Sequence, residues 1–376
     1  MHMGQRVISA DNHIVDPRDL YVECMPAEFR DRAPRVLRGP DGGDGWSFTG
    51  EPPMRTFGLE AVAGQASRGE FRPSGLTWDE IMPGNYDGAA HLADMDRDGI
   101  DGVVVYPTVA MSAYGLPDRE FALAIIRTYN DWVLDEFEAA DRDRLVGLCC
   151  LPVDDGMDAA VAEVERCAAK GARGFFLPGM PERGYWEPLY DPMWAAASDA
   201  DITLSFHRNH GGRPRGDDVP MLDVPGLNVG GIAARFFSAV TPFTYMIFTG
   251  LFERFPTLRI VAGEVNCGWL PFWCENMDQN FDQQRHWAQL PIERPPSSYV
   301  GTNVFVTTLD DHEGFAAIRR NPDLADAVMY SIDYPHSVTL WPNSGQHIAD
   351  LTDGFDDTVR AKVLAGNAAR VYKFAA

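Results

Sequence analysis

The chain has 376 residues, 45% hydrophobic and 23% charged, which is enough apolar material to bury a large core without disulfide staples. Its 55 acidic and 32 basic residues give a formal charge of −23. That balance argues against nucleic acid and anionic membranes as partners, since both need a basic footprint. Acidic side chains such as Asp94, Asp96, Asp98 and Asp101 are spaced rather than blocked, so the acidity reads as a solubility feature.

Cysteines stand at 24, 149, 150, 167, 267 and 274, with no C-x-x-C pair. This usage fits a reduced compartment, with thiols serving as small apolar groups. The N-terminal MHMGQRVISADNH has no apolar signal core, and no uncharged run is long enough for a membrane span. The expected location is cytoplasmic.

Taken in chain order, short apolar runs alternate with helix-period segments. The expected strands are Arg6–Ala10, Gly102–Tyr106, Leu145–Leu151, Gly174–Leu177, Ile202–Phe206, Leu258–Ala262, Asn303–Thr307 and Ala327–Ser331. The expected helices are Ala89–Asp98, Asp118–Ala140, Met157–Lys170, Pro188–Ala200, Gly231–Phe255, Trp269–Gln283, His312–Arg320 and Asp356–Tyr372. Length alone suggests roughly two or three domains, but α/β barrels exceed that rule. Eight β-then-α units predict an α/β fold, a single-domain (β/α)8 TIM barrel with a parallel sheet. A doubly wound sheet is the competitor, and no G-x-G-x-x-G follows the first strand to support it. Residues 15–87 break the pattern. They are rich in Pro and Gly and read as an inserted cap over the barrel mouth, with a short hairpin around Trp46–Pro53.

Side chains at the C-terminal ends of barrel strands converge on one site. The first run ends in SADNH, the fifth in LSFH and the eighth in SIDYPH. Asp11 and His13, two apart on a strand, share a face, and His207 and Asp333 arrive from the other strand ends. Two carboxylates and two imidazoles form a ligand set for one divalent metal ion, Zn2+ before Mn2+ or Fe2+.

The chain resembles the amidohydrolase superfamily, in the branch of 2-amino-3-carboxymuconate semialdehyde decarboxylase and the γ-resorcylate decarboxylases. The resemblance is carried by DNHIVDP, YDGAAHLADMDRDGIDGVVVYPT, YWEPLYDPMWAAASDADITLSFH, FERFPTLRIVAGEVNCGWLPF and SIDYPH. It implies metal-ligand roles for Asp11, His13, His207 and Asp333, with Asp333 beside the catalytic water. It also suggests a homodimer or homotetramer. Two departures stand out. The first motif is D-x-H where the decarboxylases have H-x-H or E-x-H. The segment Gly263–Trp269 carries Glu264 and no histidine, where the branch places its proton-handling His.

Glu264 is therefore a candidate acid or base, or alternatively a hydrogen-bond partner of a ligand imidazole. His210 is a weaker catalytic candidate. Arg55, Trp269 and His336 are candidate substrate contacts. Arg208 is expected to point away from His207, toward a helix or solvent.

A metal-bound water, its pKa lowered from about 16 toward roughly 7, would attack an amide or ester with Asp333 as base and then acid. Without the branch's histidine, hydrolysis of a small aromatic or carboxylated substrate is the leading expectation. Non-oxidative decarboxylation of an aromatic or muconate-like acid is the alternative. A non-catalytic metal-binding protein is the third reading.

Overall fold

The apolar runs become strands covered on both faces, and every residue of Gly102–Pro107, Gly174–Leu177 and Thr203–His207 is buried. The computed structural model describes residues 4–53, 55–65, 71–208 and 227–375. Its strands are β1 (Ile8–Ile14), β2 (Arg35–Arg38), β3 (Asp44–Ser47), β4 (Gly102–Pro107), β5 (Leu145–Gly147), β6 (Cys149–Cys150), β7 (Gly174–Leu177), β8 (Thr203–His207), β9 (Ile260–Gly263), β10 (Val304–Thr308) and β11 (Val328–Tyr330).

β1, β4 and β5 pair in that order, and β6 to β11 pair consecutively. Every one of these pairings is parallel. Leu148 links β5 to β6 and bonds through its N–H to the Val105 carbonyl at 3.0 Å, so the two halves form one stave. The last gap is closed where the chain leaves β11. Asp333 N–H bonds Asp11 O at 3.0 Å, His13 N–H bonds Tyr334 O at 2.7 Å, and Ile332 N–H bonds Ser9 Oγ at 3.0 Å. Eight parallel staves thus close into a (β/α)8 barrel.

All eight expected strands are present, with ends shifted by a few residues. The helices differ more. The expected Gly231–Phe255 helix is three pieces, Leu227–Ala233, Phe237–Phe248 and Leu251–Arg254. Gly250 adopts φ 71°, a left-handed conformation that ends one piece before the next begins. The helix Ser344–Leu351 was not anticipated. Its first N–H and hydroxyl are taken by the Asp98 carboxylate at 2.9 and 2.5 Å, a cap supplied from a distant helix.

The hairpin of residues 15–87 lies upstream of the expected Trp46–Pro53. β2 and β3 pair antiparallel across Gly39–Gly43, where Gly39 N–H bonds Gly43 O at 2.8 Å and Gly42 takes φ 83°. Only glycine enters that conformation without steric cost, so GPDGG makes the turn. Val15, Val36, Phe57, Leu76, Trp78 and Ile81 form a small core of their own, joined by Val109. No helix among the described residues is long and apolar enough to cross a membrane.

Candidate metal centre and active site

β1 carries a bulge. Ser9 pairs with Val103 but Asn12 pairs with Val105, which leaves one extra residue in β1 between them. A bulge re-aims side chains at a strand end, and this one sits at Asp11. Asp11, His13, His207 and Asp333 are all buried, and they meet at the mouth. The Nε2 atoms of His13 and His207 lie 3.2 Å apart. Each is 3.5 Å from Asp11 Oδ1, and His13 Nε2 is also 3.5 Å from Asp333 Oδ1. These side chains come from the strand ends at which the sequence placed them.

The polar accounting of this cluster is incomplete. Asp11 Oδ1 and both oxygens of Asp333 are buried and accept no hydrogen bond from the described residues. A desolvated carboxylate oxygen without a donor is costly. The other Asp11 oxygen accepts from Thr307 Oγ1 at 2.9 Å, and Thr307 Oγ1 in turn accepts the Glu264 N–H at 2.7 Å. Thr307 lies on β10 and ties two strand ends together. Only its place near the end of NVFVTT hinted at this. Burial pushes the His207 imidazole toward its neutral form, but the Asp11 and Glu264 carboxylates outweigh it and raise its pKa.

Glu264 is buried with Oε2 3.6 Å from His207 Nε2. Arg208 reaches back to Glu264 Oε2 through its Nε, and Arg235 Nη1 bonds Oε1 at 3.2 Å. The expected outward direction of Arg208 is therefore wrong. Its φ of 44° ends the strand alternation on which that expectation rested. Burial raises the pKa of Glu264, the Asp333 charge adds to this, and His207 and Arg208 oppose it. Neither arginine was singled out for this role in the sequence.

Among the described residues, seven non-glycine residues have positive φ, and Arg208, Glu264, Asn266 and Asp333 are four of them. Each such conformation costs about 1–3 kcal/mol, and this strain is gathered at the ends of β8, β9 and β11.

The remaining candidates divide. The His336 ring stacks on His13 with centroids 3.8 Å apart, and its Nδ1 lies 3.3 Å from Asp333 Oδ1, so it joins the cluster. Trp269 is half-buried, and its indole N–H is committed to the Val265 and Asn266 carbonyls at 3.0 and 3.1 Å. It lines a cavity of about 520 Å³ together with Arg235, Phe236, Asn266 and Asp311. Arg55 does not join the cluster. It is exposed and forms no side-chain hydrogen bond with the described residues; its charge reaches Glu60 through space. His210 lies outside the described residues.

Gly263, the last residue of β9, has no room for a side chain. A Cβ there would meet His207 Cδ2 at 2.7 Å and the Tyr106 ring at 3.2 Å. Gly263→Ala is expected to displace the imidazole and weaken metal binding about tenfold or more while the barrel still folds. Metal titration by calorimetry beside circular dichroism checks this, and unchanged affinity would mean that His207 is not a ligand.

The profile of the amidohydrolase family matches residues 79–374. The chain belongs to the amidohydrolase family. A γ-resorcylate decarboxylase from Polaromonas sp. JS666 is 23% identical over 293 residues, spanning 74% of this chain and 85% of that protein. The solved structure of an amidohydrolase from Mycobacterium avium subsp. paratuberculosis K-10 superposes with a TM-score of 0.75 at 18% identity, covering 98% of each chain. A dihydroxybenzoic acid decarboxylase from Polaromonas sp. JS666, solved with bound manganese and the inhibitor 2-nitroresorcinol, superposes with a TM-score of 0.63 at 18% identity. It covers 98% of this chain and 97% of that one. These superpositions match the barrel along the whole amidohydrolase chain.

Proposed function

We propose that this amidohydrolase is a metal-dependent, non-oxidative decarboxylase of small aromatic acids. The observation that carries the reading is a pair of ligand groups sharing His13, one of Asp11, His13 and His207 and one of His13, Asp333 and His336, with three buried carboxylate oxygens lacking donors among the described residues. Asp11, His13, His207 and Asp333 would hold one divalent cation, which compensates those oxygens. Zn2+ suits the donor set, and the manganese of the Polaromonas relative makes Mn2+ an equal candidate. A bound cation supplies positive charge against which a substrate carboxylate and a neighbouring ring hydroxyl are anchored.

The chain's own residues do the rest. Asp333, beside His13 and His336, is the carboxylate that takes up a proton from solvent as the substrate enters and passes it to the ring. The bond from ring carbon to carboxylate carbon breaks, the electron pair stays on the ring, and the Asp333 proton takes its place as CO2 departs. Asp333 is left as the carboxylate that helps hold the cation. Residues 15–87 serve as a cap that keeps bulk water out. In support, the Val62 and Ala63 N–H groups both bond Pro335 O, two residues beyond Asp333, at 3.0 and 3.2 Å.

The hydrolase expectation rested on the missing histidine near Glu264. Asp333 can carry the proton itself, so that absence does not decide the reaction. The relatives named as decarboxylases support the alternative instead.

The test is turnover of a panel by metal-loaded protein. Ortho-hydroxybenzoates are expected to release CO2, while aryl amides and esters stay intact. Amine or acid release from the second group, with no CO2 from the first, would return the assignment to hydrolysis.

A further inference from the structure

Asn12 stands between Asp11 and His13 on β1, and its side chain is committed to the helix Gly88–Asp98 rather than to the metal cluster. Its amide nitrogen lies 3.3 Å from His91 Nε2, and His91 Nδ1 lies 2.7 Å from the Gly84 carbonyl oxygen. A carbonyl only accepts, so the imidazole carries its proton on Nδ1 and leaves Nε2 bare to accept from Asn12. The Asn12 oxygen in turn accepts the Ser9 hydroxyl at 2.7 Å, and Ser9 Oγ accepts the Ile332 N–H at 3.0 Å. Ser9, Asn12 and His91 are fully buried, and each donor in this run meets an acceptor. Burial pushes the His91 pKa down to about 4 against the pull of the Gly84 bond. Near neutral pH the ring therefore keeps the uncharged form that the pattern requires.

Ser9 and Asn12 are the residues that bracket the β1 bulge, so the bond between their side chains spans the irregularity at Asp11. Ser9 also ties the bulge to Ile332, one residue before Asp333. Fixing the Asn12 amide fixes the peptide planes on either side of it, and those planes set the directions of Asp11 and His13. His91 is the anchor at the far end. Its ring packs edge-on against Tyr334 and Phe137, with centroids 5.0 and 5.5 Å away, and Tyr334 O is the acceptor of the His13 N–H.

We propose that His91, acting through Asn12, is a positioning residue for the metal centre, locking the β1 bulge in the form that aims Asp11 and His13 at one cation. The proposal rests on the reading of that cluster as a cation site and holds whichever reaction follows. Loss of a group that orients metal ligands typically costs about tenfold to a hundredfold in affinity.

Calorimetric titration of Mn2+ into wild type, H91N, H91Q and N12A, beside melting curves of the chelated proteins, tests this. Asn places its amide near the Nδ1 position of an imidazole and can keep the bond to Gly84. Gln places its amide near Nε2 and can keep the acceptor for Asn12. H91Q is expected to bind Mn2+ within about threefold of wild type, whereas H91N and N12A bind it about tenfold or more weakly. Both His91 variants give up one of two hydrogen bonds, so their melting temperatures without metal should fall together and only the metal affinity separates them. N12A leaves the His91–Gly84 bond in place, so it reports on the Asn12 contact even where a His91 variant does not fold. Equal affinities of H91N and H91Q, the reverse order, or wild-type affinity in N12A would overturn the assignment. Wild-type protein that takes up no Mn2+ would instead sink the cation reading, and this proposal with it.

Discussion

Asp333→Asn is expected to lower kcat on the best aromatic acid by about a thousandfold or more while the protein remains folded. General acid–base groups contribute about a hundredfold to ten-thousandfold, and Asp333 would also be losing its part in holding the cation. The residue is fully buried, with Oδ1 3.5 Å from His13 Nε2 and 3.3 Å from His336 Nδ1. Asn keeps the shape, so no cavity opens. The metal-free variant loses one negative charge from a site shared with Asp11 and Glu264, which relieves repulsion rather than creating it. Its melting temperature without metal should therefore match or exceed that of the wild type. A variant turning over within about tenfold of wild type would remove Asp333 from the chemistry, whichever reaction the enzyme performs.

Removing metal is expected to have the second large effect, and it can be read without any substrate. A cation that binds only the folded state stabilises it by RT ln(1 + [L]/Kd), about 2.7 kcal/mol at a hundred times Kd. For a chain of this size that shifts the melting temperature by several degrees. Chelated protein should melt lower than protein given Mn2+ or Zn2+, and His13→Ala or Asp11→Ala should abolish the difference. Arg55→Ala, on an exposed side chain outside the cluster, should preserve it. Because imidazole and carboxylate ligands bind metal only when deprotonated, the shift should shrink as pH falls. Identical melting curves for the chelated and metal-supplemented wild type at millimolar cation would mean that the cluster holds no ion.

How far each side chain could be followed from the sequence depended on how local its constraint is. His207 was placed because a buried strand must end where its apolar run ends, and the end of a parallel barrel strand faces the mouth. Asp11 and His13 were placed by the same reasoning, although the bulge between Ser9 and Asn12 means that simple alternation does not explain how they meet. Glu264 was recognised as the sole carboxylate in its segment, but its environment was not legible. Arg235 lies 29 residues before it, and the glycine-interrupted apolar stretch between Gly231 and Phe255 was read as one continuous helix.

The sequence by itself determined the barrel and the four strand-end ligand candidates. Both follow from short-range periodicity in runs of apolar residues, and periodicity survives in a linear string. Only the tertiary structure decided that Arg208 turns inward, that two guanidinium groups hold Glu264, and that Asp98 caps a helix 246 residues away. Those outcomes depend on left-handed backbone angles at single positions and on partners brought from remote parts of the chain. Neither leaves a repeating trace along the polypeptide, because each is imposed by closure of the barrel rather than by neighbours in sequence.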